Sequence, residues 1–303
     1  MDSFKYLIIG GSTKCGTTSV FNYFEYHPQI CPCVMKESRY FWNDEYPLSA
    51  AARNNETIKN FSALFRNCSP SQVMLEATPD YLYSKKSAAR ITKELNDCKI
   101  IFILRDPLTR LISWYRFAML NGLISKDITF EMYVNMQKEN TNSNPPQHLR
   151  ALDQGNYSVH LEHYISIFGK EKVLVTFYED LEKDPLKFCA GIANFAHIDP
   201  QYFEKFDFKI YNQTVSAKSV TAHKLFRTFR RTVRPVTRLF NTSIRKKLKL
   251  AGQSVEESYM YANKSGNKNV NIPDELKSYL REFYREDKIK VKQLTGINPP
   301  WQH

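Results

Sequence analysis

The chain has 303 residues, of which 42% are hydrophobic and 24% charged, so it can bury a sizeable core and lacks the composition of a disordered protein. No stretch approaches the roughly 18 consecutive apolar residues that a membrane span requires. The short segment before the first apolar run does not resemble a signal peptide, and we therefore expect a cytoplasmic protein with no transmembrane segment.

The cysteines show neither a zinc-ligand spacing nor a CxxC redox pair. We therefore expect reduced, mostly buried thiols and no metal site. The six positions are 15, 31, 33, 68, 98 and 189.

Four apolar runs predict β-strands, at 6–10, 73–76, 100–104 and 173–178. They alternate with helix-like stretches, which is typical of βα units and predicts a parallel sheet with helices on both faces. A stretch rich in Asn, Ser and Pro at 140–146 predicts a loop, but its flanks do not resemble separate domains. The sequence thus predicts one α/β domain over residues 1–303.

A glycine-containing loop follows the first predicted strand and precedes a predicted helix from Thr17 to about Tyr26. Gly11 and Gly16 have the glycine spacing of the nucleotide triphosphatase loop G-x-x-x-x-G-K-[ST]. In that motif lysine follows the second glycine, whereas here Thr17 stands there and Lys14 precedes the glycine. The loop therefore predicts a site for a phosphate ester other than a Mg-bound γ-phosphate.

A second candidate phosphate site follows the run 100–104. Arg105 ends the predicted strand, Pro107 suits the first turn of a helix, and Ser113 lies nearly two turns further along. Because the planar guanidinium group matches a phosphate, Arg105 and Ser113 are predicted to share one anion. The alternative is that Arg105 pairs with Asp106 or with a core carboxylate.

Together the two motifs resemble those of the sulfotransferases that use 3′-phosphoadenosine 5′-phosphosulfate (PAPS). In that family a lysine-glycine-threonine loop and a later arginine-serine pair bind the cofactor. The resemblance implies a P-loop-like α/β fold with a central parallel sheet flanked by helices, PAPS as donor and 3′-phosphoadenosine 5′-phosphate (PAP) as product. The cofactor-binding residues that it implies in these motifs are Lys14, Cys15, Gly16, Thr17, Thr18, Ser19, Arg105 and Ser113.

The segment after the first predicted helix is where the resemblance implies a general base. Glu37 stands just ahead of an aromatic run, as the base does in the heparan-sulfate-type sulfotransferases. The alternative is an exposed Glu37 paired with Lys36 or Arg39. Lys14 is expected to stabilise charge on the transferred sulfuryl group. His160 is the next candidate for the base.

Further matches to the family extend from about residue 6 to 294. Leu75–Tyr81 resembles a strand-end motif in which Ala77 replaces the lysine of glycan-sulfating members. The stretch from Gly155 to Leu161 resembles an internal element of the family, and Glu179-Asp180-Leu181 resembles its acidic turn. The acceptor-binding residues that the resemblance implies are Arg39, Tyr40, Thr78, Tyr81 and Tyr157.

The positive charge is concentrated in one segment. Between 208 and 255 there are twelve Lys or Arg residues and no acid, whereas the rest of the chain has 31 basic and 31 acidic residues. Arginines and apolar residues form complementary stripes at helical spacing there, which predicts an amphipathic helix. We expect a lid-like segment, with Lys218 reaching the cofactor; docking of an anionic acceptor is the alternative.

The resemblance also divides the predicted domain into three parts. Residues 1–207 form the catalytic core, 208–255 the basic helical segment, and 256–303 a cofactor-closing loop with a helix at 274–294. The loop residues implied to bind the cofactor phosphates are Lys264, Ser265 and Gly266.

The sequence thus looks like a soluble, bacterial-like member of the heparan-sulfate-type branch. The implied reaction moves the sulfuryl group of PAPS to a hydroxyl or amine of a small natural product or saccharide. Two alternatives stay open: a P-loop kinase or NTPase, and a basic module that binds nucleic acid or an anionic surface. Neither a nucleic-acid partner nor a particular acceptor or oligomeric state is indicated.

Overall fold

A five-stranded parallel sheet lies at the centre of the computed structural model, which describes residues 4–42, 60–142, 145–208 and 270–301. The strand order is β2-β3-β1-β4-β5, and every neighbouring pair is parallel. The strands are β1 (Lys5–Gly11), β2 (Ile30–Pro32), β3 (Val73–Ala77), β4 (Asp97–Leu104) and β5 (Val173–Phe177). The prediction of a parallel sheet flanked by helices is confirmed.

Eight α-helices surround the sheet in the part of the chain that the structure describes. They are α1 (Thr17–Phe24), α2 (Lys85–Glu94), α3 (Pro107–Leu120), α4 (Phe130–Lys138), α5 (Tyr157–Phe168), α6 (Tyr178–Lys183), α7 (Pro185–Ala196) and α8 (Asp274–Thr295). Pro107 opens α3 as predicted, and the Asp106 side chain caps it by accepting from Thr109 N.

Several predicted features fall outside the described residues. Of the basic segment 208–255 only Phe208 is described. Lys218 and the loop residues Lys264, Ser265 and Gly266 also lie outside, so their assignments stay predictions.

The strands are apolar on both faces because both faces are covered. On β4, Ile100, Phe102 and Leu104 pack into one core cluster. Ile101 and Ile103, between them in sequence, pack into the cluster on the other face. This alternation follows from the two-residue period of a strand, and burial on both sides explains the continuous apolar run.

The expectation that all six cysteines are reduced is wrong. Cys31, in β2, forms a disulfide with Cys68, and their Cα atoms are 5.6 Å apart. The two lie 37 residues apart in sequence, and only the parallel pairing of β2 with β3 brings their segments together. The remaining four, Cys15, Cys33, Cys98 and Cys189, are buried thiols as predicted.

Gly155 marks a close approach between α8 and the turn before α5. A Cβ atom at this position would lie 2.5 Å from the ring of Tyr284. The Tyr284 hydroxyl also donates to the Leu152 carbonyl at 2.8 Å, which holds the ring in place. Only glycine therefore allows α8 to pack here.

We expect Gly155→Ala to lower the free energy of unfolding by about 1–3 kcal/mol, because the added methyl group overpacks the contact. Gly191→Ala is the matched control, since Gly191 lies in α7 and its Cβ would meet nothing within 4 Å. It should raise stability by about 0.5–1 kcal/mol. Denaturant unfolding of both variants measures the difference, and equal stabilities would contradict the packing argument.

Candidate active site

The candidate site lies where the strands end. Because all five strands are parallel, the loops after them leave the sheet at one edge, the usual ligand-binding edge of such sheets. Three backbone hydrogen bonds join these loops to neighbouring strands. They are Ser12 N to Ile103 O at 2.8 Å, Thr78 N to Ile9 O at 3.1 Å, and Glu37 N to Ala77 O at 2.8 Å.

The loop after β1 ends at Gly16, whose φ of 79° favours glycine. A Cβ atom here would also lie 2.7 Å from the Tyr178 ring, so no larger residue can replace it. Gly16 provides no side-chain cap to α1. The first amides of a helix have no partner within it, and this helix end therefore suits an anion.

Arg110, on α3, holds this loop from below. Its guanidinium is fully buried and donates to Thr13 O at 3.0 Å, Thr13 Oγ1 at 3.1 Å and Tyr83 OH at 3.0 Å. It also donates to Ala151 O at 2.9 Å and Gln154 Oε1 at 3.2 Å. None of these acceptors is a carboxylate, so they leave the positive charge of Arg110 in contact with the loop without neutralising it.

Arg105 lies at the end of β4 beside this loop. Its guanidinium stacks over the Tyr178 ring at 4.4 Å, and Nη1 donates to Lys14 O at 3.5 Å. Nε is buried without a hydrogen-bond partner among the described residues. Arg105 also forms no ion pair with Asp106 or any other described carboxylate. The alternative role in a core ion pair therefore has no support, and Ser113 is buried on the adjacent helix.

Lys14 is another cation at this site and is partly buried. Its Nζ lies 4.6 Å from the centre of the Phe117 ring, and no described carboxylate is paired with it. Burial and the nearby Arg105 lower the pKa of Lys14 to about 8. A bound anion would raise this pKa again and so favour the charged form of the lysine.

Glu37 lies on the loop after β2, with its side chain 40% exposed. Its carboxylate contacts Lys36 Nζ at 2.9 Å and Arg39 Nη2 at 3.3 Å. The pairing given as the alternative to the base role is therefore present, with Lys36 and with Arg39. Because the carboxylate is also exposed at the site, the general-base role stays a prediction.

His160 lies on α5, where its ring meets the Tyr83 ring edge-on at 5.1 Å. Burial, with a smaller effect of the nearby Arg110, lowers the pKa of His160 to about 4. The ring is therefore neutral at pH 7 and a weak base. Its role as an alternative base also stays a prediction.

Four of the five expected acceptor-binding residues are buried. Tyr157 is fully buried and donates to the Arg105 carbonyl at 2.8 Å. Tyr81 is fully buried and accepts from Phe41 N at 3.2 Å. The buried Tyr40 ring packs on Phe61, and the buried Thr78 bonds to Glu76. Arg39, by contrast, is paired with Glu37. Direct contacts of these five residues with an acceptor stay predictions.

Two buried acids were missed as site residues, although both belong to the strand-end motif. Burial raises the pKa of Glu76 to about 7 and that of Asp80 to about 6. Asp80 accepts from Gln147 Nε2 at 2.7 Å. For Glu76, the signal in the sequence was a glutamate within an otherwise apolar predicted strand.

The described residues place no group of His, Cys, Asp or Glu where it could hold a metal ion. The same parts of the chain contain no helix whose length and hydropathy would let it cross a membrane.

The chain is similar to several heparan sulfate sulfotransferases. Human heparan sulfate glucosamine 3-O-sulfotransferases 3B1 and 3A1 are each 25% identical over 301 residues, covering 97% of this chain and 64% and 61% of theirs. Mouse bifunctional heparan sulfate N-deacetylase/N-sulfotransferase 4 is 26% identical over 209 residues, covering 65% of this chain and 23% of its own. The chain thus spans less than two thirds of the length of these relatives.

The fold is similar to that of a sulfotransferase from Alicyclobacillus acidocaldarius. The TM-score is 0.67 at 19% sequence identity, and the match covers 96% of each chain. The family model described as the sulfotransferase domain matches residues 5–293. The chain therefore belongs to the sulfotransferase domain family.

Proposed function

We propose that the protein transfers the sulfuryl group of PAPS to a hydroxyl or amine of a saccharide or small natural product. The observation that carries this proposal is a cluster of cations, one fully buried and two partly buried, around an uncapped helix end. Lys14 and Arg105 form no ion pair with a described carboxylate, and Arg110 lies beneath them. A highly anionic nucleotide would neutralise this charge.

The residues at the site fit the proposed cofactor. The buried, unpartnered Nε of Arg105 needs an acceptor, which a phosphate oxygen supplies. Lys14 and the first amides of α1 would hold the 5′ end, and Arg105 with Ser113 the 3′-phosphate. When bound, PAPS supplies the activated sulfuryl group.

The protein's own groups then have separate tasks. Glu37 would take the proton from the acceptor hydroxyl or amine at its carboxylate, while Lys36 and Arg39 orient that carboxylate. Lys14 would stabilise charge on the sulfuryl group and its leaving phosphate. His160 is the second candidate for the proton.

The names of the relatives favour a saccharide acceptor, because each refers to heparan sulfate. A P-loop kinase is less well supported, since Thr17 occupies the lysine position of that motif. A nucleic-acid-binding role would depend on the basic segment, nearly all of which lies outside the described residues. Cytoplasmic location stays a prediction, and the Cys31–Cys68 disulfide is more typical of an oxidising compartment.

Arg105→Ala should weaken PAP binding by about ten- to a hundredfold, because it removes a charge-assisted contact to the 3′-phosphate. Its effect on 5′-AMP, which lacks that phosphate, should be slight. Titration calorimetry without metal measures both. The matched control is Arg285→Ala, an exposed arginine on α8 that pairs with Glu282. Equal affinity of the parent protein for PAP and 5′-AMP would contradict the assignment.

Binding of PAP should weaken as the pH rises above about 8. The pKa of Lys14 is lowered to about 8 in the free protein, and an adjacent phosphate favours the charged form. Binding therefore takes up a proton above that pH and loses affinity there. Calorimetry at several pH values, in two buffers of different ionisation enthalpy, detects the uptake. Lys14→Met should bind more weakly and lose the pH dependence; an unchanged slope in that variant would exclude Lys14 as its source.

Glu37→Gln should lower turnover by about 10²–10⁴ while PAP affinity stays nearly intact, because the amide keeps the size but cannot accept the proton. The acceptor is first identified by mass spectrometry. PAPS is incubated with a panel of unsulfated saccharides and hydroxylated small molecules, and products that gain one sulfuryl group are sought. If Glu37→Gln keeps full activity, His160 becomes the proposed base. The variant His160→Asn then tests that role.

A further inference from the structure

The loop that carries Glu37 is attached to the end of β3 at successive residues. Glu37 N donates to Ala77 O at 2.8 Å, and Arg39 N donates to Thr78 Oγ1 at 3.2 Å. Ser38, between them, bonds to the Glu76 side chain through both its amide and its hydroxyl. The position of the Glu37 carboxylate therefore depends on how firmly this attachment is held.

One oxygen of Glu76 is the centre of the attachment. Oε1 accepts from Ser38 N at 3.3 Å, Ser38 Oγ at 2.9 Å and Thr78 Oγ1 at 2.6 Å. Ser38 Oγ in turn accepts from Tyr40 N at 3.3 Å. The residue is fully buried, and Oε2 has no hydrogen-bond partner among the described residues. The hydrogen bonds to this acid thus converge on one oxygen, two from Ser38 on the loop and one from Thr78 at the end of β3.

The loop needs such support because its backbone is strained. Glu37 has a φ of 59° and Arg39 a φ of 53°, in the left-handed region that disfavours residues with a side chain. Strained conformations of this kind persist only where surrounding contacts fix them. Ser38 lies between the two strained residues and is the one that Glu76 holds.

We propose that Glu76 is the positioning residue of the active site, fixing the Glu37 loop by accepting its hydrogen bonds; the proposal rests on Glu37 being the base. Glu76 acts here as an acceptor, because its hydrogen bonds converge on Oε1, which accepts both in the carboxylate and in a carboxyl protonated at Oε2. Burial raises the pKa of this carboxyl to about 7, so its charge is not permanent near neutral pH. Glutamine keeps an acceptor oxygen in place of Oε1, whereas methionine keeps the length but accepts nothing comparable.

Hydrogen exchange tests the attachment without any acceptor substrate. In Glu76→Met the amides of residues 37–40 should exchange at least about tenfold faster than in the parent protein, both free and with PAP bound. In Glu76→Gln they should stay within about threefold. Ile192→Ala is the control for general destabilisation, because Ile192 is buried in α7 and belongs to a different core cluster from Tyr40, Phe41 and Trp42. Equal acceleration in Ile192→Ala, or none in Glu76→Met, overturns the proposal.

Two milder variants keep the test decisive if Glu76→Met does not fold. Ser38→Ala and Thr78→Val each remove one hydroxyl donor to Oε1. Each also removes the acceptor of one amide, Tyr40 N or Arg39 N, so the comparison uses the amides of residues 37 and 38. These two amides should exchange faster than in the parent protein, by a smaller factor than after full loss of the Glu76 acceptor. Unchanged exchange in both variants overturns the proposal.

Turnover then separates positioning from chemistry. With the acceptor found in the mass-spectrometric screen, Glu76→Met should lower kcat by about 10–100-fold, keep PAP affinity within about twofold, and be rescued by Glu76→Gln. A double variant with Glu37→Gln should lose no more than Glu37→Gln alone, because Glu76 acts through Glu37. If the losses of kcat in the two single variants add up in the double variant, Glu76 does not act through Glu37. Full activity of Glu37→Gln instead removes the base assignment, and hydrogen exchange still decides whether Glu76 holds the loop.

Discussion

The buried guanidinium of Arg110 is the interaction on which the site depends. Burying a charge is costly unless its hydrogen-bonding capacity is used, and here the donors are directed at Thr13, Tyr83, Ala151 and Gln154. These contacts join the loop after β1 to α3 and to the turn before α5. The loop leads directly into α1, so the same contacts fix the direction in which the α1 N-terminus points. Loss of the guanidinium would leave several buried acceptors unsatisfied together.

Arg110 also sets the charge of the site. With Lys14 and Arg105 nearby, three cations lie at one edge of the sheet, and the pKa of Lys14 is lowered partly for that reason. Such an arrangement works against stability of the free protein, because the cations repel and are partly desolvated. A bound polyanion attracts all three cations, so their electrostatic interactions become favourable. The repulsion that destabilises the free protein is relieved on binding and adds to the binding free energy. Tyr178 limits the cost by stacking on Arg105 and packing on Gly16.

Local signals in the sequence predicted the strands β1, β3, β4 and β5 and the start of α3 at Pro107. They missed β2, which has three residues and includes Pro32, too short for a periodic pattern. They also gave no role to Arg110, because its partner Thr13 is 97 residues away in sequence. The Cys31–Cys68 disulfide was not predicted either, because its cysteines lie 37 residues apart in sequence. Motifs formed by adjacent residues can be recognised in a sequence, but contacts between distant segments need the folded chain.

The same distinction between local motifs and long-range contacts applies to the two proposed parts of the site, one for the cofactor and one for the acceptor. The cofactor half is formed by strand-to-helix junctions, where local backbone geometry directs amides and cations at an anion. The acceptor half depends on the loop 33–42, which the end of β3 holds through Glu76, Ala77 and Thr78. Under the proposed function, the first half can stay unchanged while the second is altered, because a loop held by a few side chains tolerates replacement more readily than the sheet does. The choice of acceptor would then depend on contacts of this loop, such as those of Arg39, rather than on the segments that follow β1 and β4.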